Sequence, residues 1–162
     1  MFGAYRLLPV RGGLGLPLSE WSPVFQEAGY SLHGPAVLNL MAPDEGNMRL
    51  LERYATEGQR ERYLAPLARG EMRSCFAMTE PHPGAGSDPD ALRTQAARVD
   101  GGWEISGVKR FISGADGAGF AIVMARTDSV GESQAGATLF LTRMDAPGIT
   151  VRPIVQLDGT TG

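Results

Sequence analysis

Apolar and polar positions follow a helical period through the first part of the chain and a period of two through the rest. Leu18, Trp21, Phe25 and Ala28 recur at three- and four-residue spacing, which predicts a helix with one buried face. Ser19 stands where it can cap that helix, and Gly29 where it can end it. A second helical piece is predicted over residues 33–41. Ala42, Pro43 and Asp44 then break the chain, with Asp44 placed to cap the helix that follows. That helix turns Met48, Leu51 and Ala55 to one face and leaves Arg49, Glu52 and Arg53 to solvent. Thr56 and Gln59 have the spacing of a capping box, in which the threonine hydroxyl accepts from the backbone three residues on and the glutamine reaches back. The helix they open carries Tyr63, Leu64 and Leu67 inward and ends at Gly70, a residue suited to the left-handed stop.

Beyond Glu71 the period changes. Residues 74–79 form a short apolar run, and over 92–99 Thr94, Ala96 and Arg98 alternate with Gln95, Ala97 and Val99. Asp100 and Gly101 signal a tight turn, and 102–113 resumes as a strand with Trp103, Ile105 and Phe111 on one face, so a β-hairpin is predicted. Further strands are predicted over 120–126, 138–143 and 149–155, the last interrupted by Pro153. The glycine-rich start, 1–17, and the polar run 127–136 read as loops, the second exposed and mobile. Strands and helices do not alternate, which argues against a Rossmann-type parallel sheet. The fold class expected is α+β. An N-terminal helical segment, 1–71, precedes an antiparallel, β-barrel-like domain, 72–162, incomplete at both ends. The turn-like residues 157–162 directly follow a strand and leave a sheet edge without a partner. The expectation is a fold completed by another chain, or a piece of a longer protein.

Composition narrows the function classes. The 162 residues are 43% apolar, enough for the core of one domain or two small ones. Fifteen basic residues against eighteen acidic ones give a charge of -3, and no long basic block occurs, which argues against nucleic acid as a partner. Cys75 is the only cysteine, so an internal disulfide is excluded and a reducing compartment fits. Residues 1–10 hold no apolar run long enough for a signal peptide or membrane span. A soluble cytoplasmic protein is expected, mitochondrial or peroxisomal if eukaryotic. His33 and His82 form no ligand-spaced cluster with Cys75 or paired carboxylates, so no metal site is expected.

The chemistry concentrates in residues 75–88: Cys75, Phe76, Ala77, Met78, Thr79, Glu80, Pro81, His82, Pro83, Gly84, Ala85, Gly86, Ser87 and Asp88. An apolar run ends at Thr79, Pro81 stops ladder pairing, and the rest can continue neither strand nor helix. Open backbone N–H groups beside the hydroxyls of Thr79 and Ser87 suit a flat polar ligand or a phosphate. Taken singly, Phe76, Met78, Trp103 and Phe111 read as core residues, and Thr79 and Ser87 as turn residues. Glu80, next to a proline, reads as a loop-ordering carboxylate rather than a general base.

This run resembles the flavin-binding signature of the acyl-CoA dehydrogenases, a strand with Met-Thr-Glu-Pro followed by a Gly-Ala-Gly-Ser-Asp loop. His82 and Pro83 lengthen the loop relative to the commonest form. Residues 103–115, with Ile105, Gly107, Lys109, Phe111, Ile112, Ser113 and Gly114, resemble the family's second flavin-contact strand. Residues 56–71, with Gln59, Arg60, Tyr63, Leu64, Pro66, Leu67 and Gly70, resemble the helix before its β domain. Ala42, Pro43, Asp44, Glu45, Gly46, Asn47 and Met48 resemble a branch acting on longer or modified acyl chains. Four motifs in order make the resemblance specific, where a lone glycine-rich loop would not.

The resemblance implies FAD as cofactor and an acyl-CoA thioester as substrate. A carboxylate base would remove the α-proton while the β-hydride passes to N5 of FAD, giving the 2,3-enoyl-CoA. It further implies an acceptor such as an electron-transfer flavoprotein, no membrane partner, and a homo-oligomer when complete. By position, the backbone of Phe76, Ala77, Met78 and Thr79, with the threonine hydroxyl, would meet the flavin ring. Ser87 matches a serine near both cofactor and thioester, hence a cofactor- and substrate-binding residue, and Phe111, Ile112 and Ser113 match the segment beside the central ring. Ser113 stands where threonine is common and keeps the hydroxyl. Phe111 replaces a frequent tryptophan and stays flat and aromatic. N–H and O–H donors aimed at a ring that gains negative charge on reduction stabilise that form. No residue matches the catalytic base, which the family draws from a C-terminal helical domain. Two alternatives therefore stand beside the dehydrogenase reading: a non-catalytic fragment or binding module that needs a partner chain, and a related flavin oxidase or monooxygenase.

Overall fold

In the computed structural model, which describes residues 14–127, 136–155 and 157–159, the helical period of the first part becomes five short helices. The chain divides into two units, Met1–Ser74 and Cys75–Gly162. In the first, α1 (Leu18–Ala28) buries Trp21 and Ala28. The rings of Trp21 and Phe25 lie 6.1 Å apart, one turn from each other. The side chain of Leu18 is not among those described. Gly29 follows the helix as expected, but Pro17 occupies the N-cap without a side-chain bond, and Ser19 lies inside the helix. The piece expected over 33–41 shortens to α2 (Gly34–Val37). Asn39 takes φ 52° there, and its buried amide donates to the Leu67 carbonyl at 2.9 Å, a tertiary bond that pulls the backbone out of the helix.

Helix α3 (Asp44–Tyr54) buries Met48 and Leu51, and corrects the expectation for Asp44. Pro43 is its N-cap, and the Asp44 carboxylate turns away from the helix end. One of its oxygens accepts from the Ser74 backbone N–H at 2.8 Å and the Ser74 hydroxyl at 2.6 Å, while Arg73 Nε lies 2.6 Å from the other. Partners thirty positions away outcompete the local amides because a buried carboxylate needs strong donors. The capping box of α4 (Glu57–Gln59) forms with both bonds. A π-helical turn, Arg60–Leu64, joins it to α5 (Ala65–Ala68), burying Tyr63, Leu64 and Leu67. Gly70 stops the run at φ 72°.

Strands β1 (Ser74–Ala77), β2 (Gln95–Val99), β3 (Gly102–Ser106), β4 (Phe120–Thr127) and β5 (Gly136–Arg143) form one open sheet. The order is β1, β4, β2, β3, with β5 also on β4. The hairpin of β2 and β3 turns at Asp100 and Gly101, the glycine at φ 81°. Strand β4 is the core of the sheet, burying Phe120, Ala121, Ile122 and Ala125. It pairs antiparallel with β5 from Phe120↔Arg143 to Thr127↔Gly136. The sheet is mixed rather than wholly antiparallel. Gln95 and Ala96 of β2 run parallel to Arg126 and Thr127 of β4, because β3 and the segment after it serve as the crossover that a parallel pair requires. The rings of Trp103 on β3 and Phe140 on β5 meet at 5.4 Å, although β2 and β4 lie between their strands, so the sheet curls.

Four expected strands are shorter or absent: the run over 74–79 stays in the ladder only to Ala77, and the one over 92–99 enters it only at Gln95. Residues 102–113 leave the ladder after Ser106. Beyond Gln95 the Thr94 carbonyl accepts from the Arg126 N–H and the Thr94 N–H goes to a carboxylate, so no ladder partner remains. Over 149–155 only Val155 enters a bridge. Pro153 has no N–H to give, and the Ile149 N–H closes a turn onto the Ala146 carbonyl. The loop expected over 127–136 and the start of the loop expected over 1–17 fall largely outside the described residues. No helix among the described residues is long and apolar enough to cross a membrane, and no group of three or more ligating side chains there could hold a metal ion.

Candidate functional site

Strand β1 ends at Ala77, and Met78 and Thr79 leave it half-buried, as Phe76 is within it. The next residue organises everything around it. Glu80 is 5% exposed, and its carboxylate accepts from the backbone N–H groups of Ala85 (3.4 Å), Arg93 (2.8 Å) and Thr94 (2.8 Å), and from the Thr94 hydroxyl (2.5 Å). Lys109 Nζ lies 2.9 Å from it and also donates to the Met78 carbonyl at 3.0 Å. Burial alone would raise the pKa of this carboxyl; the Thr94 hydroxyl, the Lys109 ammonium and the two backbone amides of 93 and 94 overcome that and bring it from 4.5 down to about 2. Burial pushes the Lys109 ammonium below its usual value, and Glu80 opposes the shift. The loop-ordering reading of Glu80 fits this geometry.

Glycines make the clamp close enough to work. A Cβ on Gly107 would meet Thr94 Oγ1 at 2.3 Å, and one on Gly84 would meet the Glu80 side chain at 2.8 Å. Gly86, at φ 58°, returns the loop so that its carbonyl accepts the Glu80 N–H at 3.0 Å. Ser87 follows it, exposed. The Asp88 carboxylate then accepts from the Asp90 N–H, and Arg126 of β4 donates to the carbonyls of Asp90 (2.7 Å) and Leu92 (3.0 Å).

The second group of expected residues reaches the first through its backbone. The Arg110 N–H donates to the Thr79 carbonyl at 2.9 Å, so Phe111 follows a residue bonded to the end of the β1 run. Phe111 does not share the β3 face with Trp103 and Ile105. It sits in the left-handed region at φ 58° and is 63% exposed. An aromatic residue in that conformation is strained, and strain of this kind gathers at sites that present a side chain for use. Ile112 is half-buried and Ser113 exposed. The hydroxyls of Thr79, Ser87 and Ser113 bond to no other described residue. The structure thus links 76–79 directly to 109–113, and links Ser87 to Thr79 through the bridge from Glu80 to Gly86. Reading the residues singly misses Thr94 and Arg126, whose partners lie far along the chain, although the Gly107 and Lys109 of the second motif point toward the clamp.

Fold and site together define an α+β protein in which helices precede an open, curled sheet whose loops present backbone, hydroxyls and one flat aromatic. Residues 75–162 match the family model described as acyl-CoA dehydrogenase, middle domain, and the chain belongs to the acyl-CoA dehydrogenase family. It is 39% identical over 145 residues to mouse acyl-CoA dehydrogenase family member 10, covering 88% of this chain and 14% of that protein. A Mycobacterium abscessus protein assigned as an acyl-CoA dehydrogenase superposes with a TM-score of 0.84 at 34% identity, over 98% of this chain and 39% of that one. Glutaryl-CoA dehydrogenase from Mycobacterium smegmatis, solved in complex with FADH2, superposes with a TM-score of 0.58 at 34% identity, over 67% of this chain and 26% of that one. The chain spans well under half the length of these relatives.

Proposed function

We propose that the chain is the N-terminal and middle part of a flavin-dependent acyl-CoA dehydrogenase, and that residues 76–79, Ser87 and 111–113 receive FAD, with Ser87 also facing the thioester. The observation that carries this reading is Phe111, an exposed aromatic held at φ 58° beside the Thr79 carbonyl bond. The residues fit the group. A flat aromatic offers a wall for a flat ring, and three hydroxyls without a protein partner among the described residues are available as donors. Bound FAD would supply the acceptor for two electrons as the acyl-CoA becomes the 2,3-enoyl-CoA. The chain's own part is to bind and orient. The backbone and hydroxyl of Thr79 and the hydroxyl of Ser113 would hold the ring, Phe111 and Ile112 would lie beside it, and Ser87 would stand near both cofactor and thioester.

Glu80 does not serve as the base in this reading. It is buried, faces five donors, and has a pKa of about 2. The base, the electron acceptor and the oligomer interface belong to a longer protein, in keeping with the small share of each relative that the chain spans. Within that protein, residues 1–71 are the helical part and 72–162 the flavin-presenting part.

In the complete protein, Thr79→Val keeps the shape of the side chain and removes a donor. Loss of a hydrogen bond buried by the ring costs roughly 1–3 kcal/mol of FAD binding, about 5- to 150-fold in dissociation constant. Titration by flavin fluorescence measures it, and unchanged affinity would count against the assignment.

A further inference from the structure

Lys109 and Arg110 are adjacent cations put to opposite uses. Lys109 turns inward, its side chain 11% exposed and bonded to Glu80 and Met78. Arg110 is exposed, and among the described residues its guanidinium meets no carboxylate. It lies instead over the Phe111 ring, 4.6 Å from the centroid, while its backbone N–H is fixed on the Thr79 carbonyl. A positive charge is therefore held against the residue that forms the proposed flavin wall, in ion-pair contact with no carboxylate among the described residues.

We infer that Arg110 is a cofactor-tuning residue: its guanidinium favours the reduced flavin, which is negatively charged, over the neutral oxidised ring. The inference rests on the flavin reading of this site. A cation stacked on the aromatic wall attracts negative charge that develops on the far side of that ring. The guanidinium is exposed to solvent, which screens the effect, so a moderate preference is expected.

The test compares the complete protein with Arg110→Met, which keeps an apolar stem over Phe111, and Arg110→Lys, which keeps the charge. Dissociation constants for oxidised FAD and, under anaerobic conditions, for reduced FAD give a ratio that reports preference rather than packing. Arg110→Met should lower the preference for reduced FAD by roughly three- to tenfold, and Arg110→Lys should restore most of it. Equal loss of both affinities, or no change in their ratio, would overturn the role of Arg110 while leaving the flavin site standing. A wild-type protein that binds no FAD would overturn both.

Discussion

Asp44 in the helical unit and Glu80 in the sheet unit are both buried carboxylates, 0% and 5% exposed, and each gathers donors from distant parts of its own unit. Asp44 takes Ser74 and Arg73, and Asn47 completes the group by donating to the Ser74 hydroxyl at 2.9 Å. Every polar side chain of that cluster except Arg73 is buried. Around Glu80 the backbone is as firmly held, but the side chains that flank it differ. Thr79, Ser87, Phe111 and Ser113 are half-buried or exposed, and the three hydroxyls have no partner among the described residues. One carboxylate closes a core and the other keeps a surface open. A buried charge that fixes the main chain leaves neighbouring side chains uncommitted, as the proposed flavin site requires.

Of the two carboxylates, Glu80 is the costlier to remove. Glu80→Ala would leave Lys109 buried without a counter-charge and strand the N–H groups of Arg93 and Thr94, costing about 3–5 kcal/mol in urea unfolding. Asp44→Ala should cost less, about 1–3 kcal/mol, because Arg73 is 42% exposed and can turn to water. Acid sharpens the contrast. The folded-state pKa of Glu80 is depressed, so its contribution is complete above 4.5 and drains away as pH falls from there through about 2. A loss on the order of 3 kcal/mol across that window should appear in the wild type and vanish in Glu80→Gln.

A smaller effect separates two glycines. Gly107→Ala drives a methyl into the backbone and side chain of Thr94 and should cost roughly 1–3 kcal/mol. Gly58 lies in α4, where an added methyl would find nothing within 4 Å, so Gly58→Ala should instead gain about 0.5–1 kcal/mol from helix propensity. Equal responses at the two positions, read as thermal midpoints, would remove the special role given to the Thr94 contact.

Local signals are legible in the sequence wherever both partners lie within a few residues. The Thr56 and Gln59 capping box, the Gly70 stop and the turn at Asp100 and Gly101 form as the pattern predicts, while the alternation expected over 92–99 holds only as far as Ala96, since Arg98 is exposed like its neighbours. Asp44 has the look of a cap because its true partners sit at 73 and 74, and nothing in the local pattern reveals them. The strand expected over 102–113 is too long for the same reason. Its continuation depends on whether Thr94 still has ladder groups to offer, and Glu80 and Arg126 have already taken them. For the proposed site, the motifs supply the candidate residues, while the clamp that joins their segments through Glu80, Thr94 and Lys109 needs the fold.

The most direct test of the account is FAD binding by two conservative variants of the complete protein, Glu80→Gln and Asp44→Asn, titrated where each is fully folded. Glu80→Gln should lose at least tenfold in FAD affinity, about 1.4 kcal/mol, because the Thr79, Ser87 and Phe111 segments lose their common anchor, while Asp44→Asn should bind as the wild type does. Equal affinities in the two folded variants would contradict it.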